Sequence, residues 1–137
     1  MSEALPKGDF TLLTEEEVAS LDLDATKKFD DYGYNLEVNL KYPKHLHNLY
    51  SDYPLAAEKL RITKEMLSAY SYSLTSKYVT SEKLSPNLYD KTKYAIHYEN
   101  LRFYLKHGLQ LVKVHRILKF KQSAWIKPYI DFNTAKR

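Results

Sequence analysis

Gly33-Tyr34-Asn35-Leu36-Glu37-Val38-Asn39-Leu40-Lys41-Tyr42-Pro43 is the stretch whose reading decides the fold. Leu36, Val38 and Leu40 recur at every second residue, so a strand over 34–40 turns all three to one face. Glu37, Asn39 and Lys41 then share the other face. Tyr42-Pro43 closes the run, because proline has no N–H to give to a ladder. Upstream, residues 1–13 read as an irregular lead-in. Thr14 followed by Glu17 has the form of a capping box, which predicts a short helix over 15–20. Residues 21–32 are acidic and polar and read as a loop. The chain is therefore expected to divide into a lead-in, 1–32, and one domain, 33–137.

Downstream, 44–50 suits a helical turn, and Asp52-Tyr53-Pro54-Leu55 an extended or turning segment. Thr63 is placed to cap a helix over 64–77 with Met66, Leu67, Tyr70 and Leu74 on one stripe. Ser85-Pro86-Asn87 breaks the chain. Residues 93–98 read as a strand and 100–107 as a short helix, with Gly108 as its stop. Residues 109–121 alternate for a long stretch, but the register slips between Leu111 and Val114 and again at Ile117-Leu118. A bulge, or burial on both faces, explains such slips. Ser123 then caps a final helix through Trp125, Ile126, Tyr129 and Ile130, whose start Pro128 can move. Strand, helix, strand, helix makes an α+β layer.

Composition narrows the function classes. The 137 residues are 44% hydrophobic, enough for a real core. There is no cysteine, which removes disulfides, thiolate zinc sites and cysteine nucleophiles. Met1–Phe10 lacks the apolar core of a signal peptide, and no run approaches the roughly 18–20 apolar residues that span a bilayer. The expected setting is intracellular, nucleus or cytoplasm, not secreted and with no membrane partner. Acidic residues crowd the start (Glu15, Glu16, Glu17, Asp22, Asp24, Asp30, Asp31) and basic ones the last third, for a net charge of +4. A basic third favours a polyanion such as nucleic acid. Taken alone, such a charge pattern more often describes a solvated basic face. His45 and His47 form an H-x-H pair, but no set of the five histidines has zinc spacing.

Two long phrases go further. One is the opening stretch followed by Leu46-His47-Asn48-Leu49-Tyr50-Ser51-Asp52-Tyr53-Pro54-Leu55-Ala56. The other runs from His97-Tyr98-Glu99-Asn100-Leu101-Arg102-Phe103-Tyr104-Leu105-Lys106-His107-Gly108-Leu109, through Val114-His115-Arg116-Ile117-Leu118-Lys119-Phe120-Lys121-Gln122-Ser123-Ala124-Trp125, to Tyr129-Ile130-Asp131-Phe132-Asn133-Thr134-Ala135-Lys136-Arg137. They resemble the motif A region, and the stretch just before motif B, of family B DNA polymerases of the protein-primed type carried by Polinton/Maverick-like mobile elements. The resemblance covers roughly residues 33–60 and 85–137. It implies a partial polymerase palm: a motif A strand, an inserted helical segment, then strand-helix-strand-helix.

The resemblance also implies a chemistry. Such enzymes join a deoxynucleoside triphosphate to a primer 3′ end on primer–template DNA, in this type from a primer protein, with two Mg²⁺ ions held by palm carboxylates. Counting back five from Tyr42 puts the motif A carboxylate at Glu37, where aspartate is usual. The position two residues on, Asn39, is the other candidate ligand. Both lie on one strand face. The preference falls on Glu37, since an amide oxygen is the weaker ligand. Tyr42 matches the tyrosine beneath the incoming sugar, and Leu40 and Lys41 stand at the triphosphate-facing positions. Lys119, Lys121, Lys127, Lys136 and Arg137 are expected to contact DNA phosphates. Trp125 and Phe132 are expected to be core anchors rather than base-stacking platforms.

Within residues 1–137 there is neither the motif B lysine helix nor a late Asp-x-Asp; the only such spacing is Asp22-Leu23-Asp24. The chain alone is therefore expected to be inactive. The alternative is a non-catalytic nucleic-acid-binding relic of a mobile element, and a third reading is a scaffold with no DNA role.

Overall fold

The computed structural model describes residues 3–21, 31–74 and 82–136. Asp22, Asp24, Arg137 and the end of the helix expected over 64–77 lie outside them. In chain order the elements are β1 (Leu5–Leu12), α1 (Glu15–Ser20), β2 (Tyr32–Lys41), β3 (Glu58–Arg61), α2 (Ala69–Leu74), β4 (Glu82–Ser85), β5 (Lys91–His97), α3 (Tyr98–Lys106), β6 (Gln110–Ser123) and α4 (Lys127–Ala135). Helices and an antiparallel sheet in one chain make this an α+β protein. No helix among the described residues is long and apolar enough to cross a membrane.

The chain separates into two compact units, residues 1–43 with 90–137 and residues 44–89. The first holds a four-stranded antiparallel sheet in the order β1-β6-β2-β5, so β2 is an inner strand. The alternation expected of β2 is met. Leu36, Val38 and Leu40 are at most 1% exposed, whereas Glu37 and Asn39 are half-buried and Lys41 is exposed. Tyr42, Ile96, Tyr98, Leu101, Leu109, Ile117 and Phe120 also lie in the core. Each such aliphatic or phenylalanine side chain contributes roughly 1.5–3 kcal/mol when fully buried.

β1 overturns the expectation of an irregular lead-in. Its Pro6, Gly8 and Asp9 disfavour a strand locally, and Asp9 has φ 55°. The strand exists through pairing with β6, from Leu5↔Ser123 to Leu12↔Leu118, with two register shifts. α1 is the capped helix expected at 15–20: the Thr14 hydroxyl accepts from the Glu17 N–H, and the Glu17 carboxylate accepts from the Thr14 N–H at 2.8 Å. Those Thr14 hydrogen bonds hold the Glu17 carboxyl below its ordinary pKa.

Both expected causes of the slips along 109–121 are present. Opposite β2, β6 skips Val112 and His115, two bulges in one strand. Beyond them Ile117, opposite Leu36, and Phe120, opposite Gly33, are buried on opposite faces. The Phe120 ring lies so close over Gly33 that a Cβ there would meet it at 2.4 Å. α3 ends as expected at Gly108, whose φ is 98°. Gly108 N–H donates to Leu105 C=O and Leu109 N–H to Tyr104 C=O, a Schellman closure.

Two helices depart from expectation. α4 begins after Ile126, not Ser123, which is still in β6; Pro128, at the start of the helix, sets its first turn. The helix expected from 64 is broken into a 3₁₀ turn, Lys64–Met66, and α2, and Thr63 makes no side-chain cap bond. Met66, Tyr70 and Leu74 are all exposed, so no buried stripe holds the two pieces in line. In this second unit β3 and β4 pair, and Asn87 Nδ2 donates to Glu58 Oε1 at 3.0 Å. Leu46 and Ala56 are its buried apolar members.

Candidate functional site on the polar face of the inner strand

Residues directly opposite in an antiparallel pair share a face. Glu37 lies opposite Arg116 and Asn39 opposite Lys113. The solvent side of β2 therefore gathers one carboxylate, Glu37, among the exposed cations Lys41, Lys113 and Arg116. Arg116 Nε approaches Glu37 Oε2 at 3.8 Å, with Arg116 74% and Glu37 27% exposed. A contact that long and that wet is worth at most about 1 kcal/mol, so Glu37 keeps an accessible oxygen.

Asn39 is held quite differently. Its Oδ1 accepts from Lys93 N–H at 2.9 Å and lies 2.9 Å from His115 Nε2. A backbone N–H can only donate, so the atom facing Lys93 is the oxygen, and His115 must donate to it from Nε2. Each of these partners sits at a bulge. His115 is the residue β6 skips opposite β2, and Lys93, φ 50°, lies where the β2–β5 register shifts. The amide thus bridges irregularities in both neighbouring strands, and both lone pairs of its oxygen are engaged.

The nucleotide-side residues are mostly inside. Leu40 is 1% exposed and paired to Leu111 on one side and Lys91 on the other. Tyr42 is 4% exposed and continues the two-residue spacing of the buried set; its N–H donates to Asp90 Oδ1 at 2.7 Å. Only Lys41 of this group faces solvent. Beside the polar face, a cavity of about 850 Å³ opens between α1 (Glu15, Val18, Ala19) and β6 (Lys113, His115, Arg116). Glu37 is not among its lining residues.

Of the expected DNA-contacting lysines, Lys121 is exposed, Lys119 lies 4.3 Å from the Tyr32 ring centroid, Lys127 pairs with Asp131 at 2.5 Å and Lys136 lies 5.6 Å from the Phe132 centroid. Arg137 is outside the described residues. Trp125 and Phe132 are not core anchors: they are 55% and 62% exposed. α4 buries no residue, and nothing in the first unit's core requires their rings.

A divalent ion needs several converging oxygens. No group of three or more His, Asp or Glu that could hold a metal occurs among the described residues. Sequence reading passed over Lys113, His115 and Arg116 as site residues. The slip between Leu111 and Val114 was the available signal, because a bulge re-aims the residues beside it. Comparison with protein-family models, with curated proteins and with solved structures finds no match to this chain.

Proposed function

We propose that this chain is a palm segment of a family B DNA polymerase, with Glu37 as its metal-side carboxylate and the surrounding cations as contacts for phosphate. One observation carries the proposal: an inner antiparallel strand delivers the accessible acid Glu37 to a solvent face that also holds Lys41, Lys113 and Arg116. Cations there favour a polyanion, and one acid among them suits a shared metal site completed by carboxylates from elsewhere. Asn39 is assigned to positioning, since its oxygen is already used twice. Leu40 and Tyr42 are assigned to holding the strand in the core, and Lys41 to the triphosphate side. No catalytic step is assigned to residues 1–137 alone.

The test is primer extension by a gene product that carries this segment together with a second pair of palm carboxylates. Glu37→Ala is expected to abolish extension and leave primer–template binding nearly intact. Unchanged extension removes Glu37 from the site. The coding sequence beyond codon 137 gives an independent check, through Asn-Ser-x-(Tyr/Phe)-Gly and Thr-Asp-Thr-Asp-Ser motifs. The second reading, a non-catalytic nucleic-acid-binding relic, draws on the cations Lys41, Lys113 and Arg116 alone. It keeps the salt-dependent DNA binding and loses extension.

A further inference from the structure

α4 is amphipathic the wrong way round. Its half-buried side carries the aliphatic Ile126 and Ile130, and its open side carries the large rings. Trp125, Tyr129 and Phe132 fall at i, i+4 and i+7, the spacing of a single helix face. They are 55%, 71% and 62% exposed. Trp125 stands in the turn that leads into the helix, where Lys127 N–H donates to Ala124 C=O at 3.1 Å. Along a helix axis Tyr129 and Phe132 are about 4.5 Å apart, wider than the 3.4 Å rise of stacked bases.

The charges point the same way. From Lys121 to Lys136 there are three lysines against one aspartate. That aspartate, Asp131, is already paired with Lys127. Lys136 Nζ lies over the Phe132 ring, 5.6 Å from its centroid, so a base that stacks on that face displaces the ammonium group, which its flexible stem can carry to a phosphate. Exposed rings alone also suit a protein interface, so it is the excess of lysine over aspartate that selects a polyanion here. Rings, lysines and small polar groups face out, and every base has a π-face to offer them.

We infer that the open face of α4 binds single-stranded nucleic acid, with Trp125, Tyr129 and Phe132 stacking on bases and Lys136 holding phosphate. The inference deepens the nucleic-acid part of the function proposed above and rests on it.

Trp125 is the single tryptophan of the chain, so its emission reports on this face directly. The experiment titrates the 137-residue chain with an oligothymidylate and with an abasic sugar–phosphate oligomer of equal length. The expected result is quenching of Trp125 by oligothymidylate only, with binding about tenfold or more tighter than to the abasic oligomer. The double variant Tyr129→Leu/Phe132→Leu, its helix content checked by circular dichroism, is expected to lose that preference and keep the salt slope. Equal affinity for the two oligomers with the salt slope intact overturns stacking and leaves electrostatic DNA binding standing. No binding to either oligomer overturns the inference and removes the lysine contacts, while the Glu37 extension test stays independent of both. Preserved preference in the double variant places the stacking elsewhere and also overturns it.

Discussion

α3 and α4 are the same length, nine residues each, and both follow a strand of the one sheet. They meet opposite fates. α3 buries Tyr98 and Leu101 completely, is capped by His97 at its start and closes on Gly108 at its end. α4 buries nothing, has no side-chain cap at its start and turns its rings to solvent. The difference teaches that aromatic content does not predict burial. What decides it is whether the rings fall in the stripe facing the sheet and whether the ends of the helix fix its orientation.

The sharpest way to break this contrast is paired truncation. Leu101→Ala is expected to cost about 2–5 kcal/mol, because a fully buried leucine leaves a cavity. Phe132→Ala is expected to stay within about 0.5 kcal/mol, as an exposed site does. Urea unfolding of the two variants checks both, and similar midpoints would erase the distinction between the helices. A middle-sized effect comes from the stop of α3. Gly108→Ala forces a Cβ into a φ of 98°, at a cost of about 1–2 kcal/mol, read by the same titration.

The smallest expected effect is a pH dependence carried by α3 alone. His97 Nδ1 accepts from Glu99 N–H at 3.4 Å, and its ring lies 4.6 Å from Tyr98 and 6.0 Å from Phe120, centroid to centroid. Burial holds the imidazole below its ordinary pKa, against the opposing pull of Glu99. The unfolded chain then takes up this proton more readily than the folded one. The stabilisation is present above the unfolded value of about 6.5 and is lost as pH falls from there toward the folded value. His97→Asn keeps a capping side chain without the titration. It is expected to flatten the slope of stability between pH 7.5 and 5.5 relative to the parent chain (about one unit to either side of that value). An unchanged slope would remove His97 as its source.

Most of the first unit was legible because its signals are local. Leu36, Val38 and Leu40 set the inner strand, Thr14 and Glu17 set α1, and Gly108 set the end of α3. β1 was not legible, because Pro6, Gly8 and Asp9 argue against a strand that only pairing with β6 supplies. Trp125 and Phe132 were misread for a related reason: burial depends on what stands opposite, and sequence shows only the ring. At the candidate site Glu37 was reached by counting along the chain. Arg116 and His115 were not, since two bulges decide what they face.

Asn39 leaves a constraint on how this chain can change over time. One carboxamide ties down strands on its left and right, so few replacements are neutral. Leucine would strand two donors, serine would fall short of both, and aspartate would draw the neighbouring imidazole toward its cationic form. Any lineage that alters this position must refit three adjacent strands at once, which makes it a slow coordinate of divergence beside the freer lysines around it.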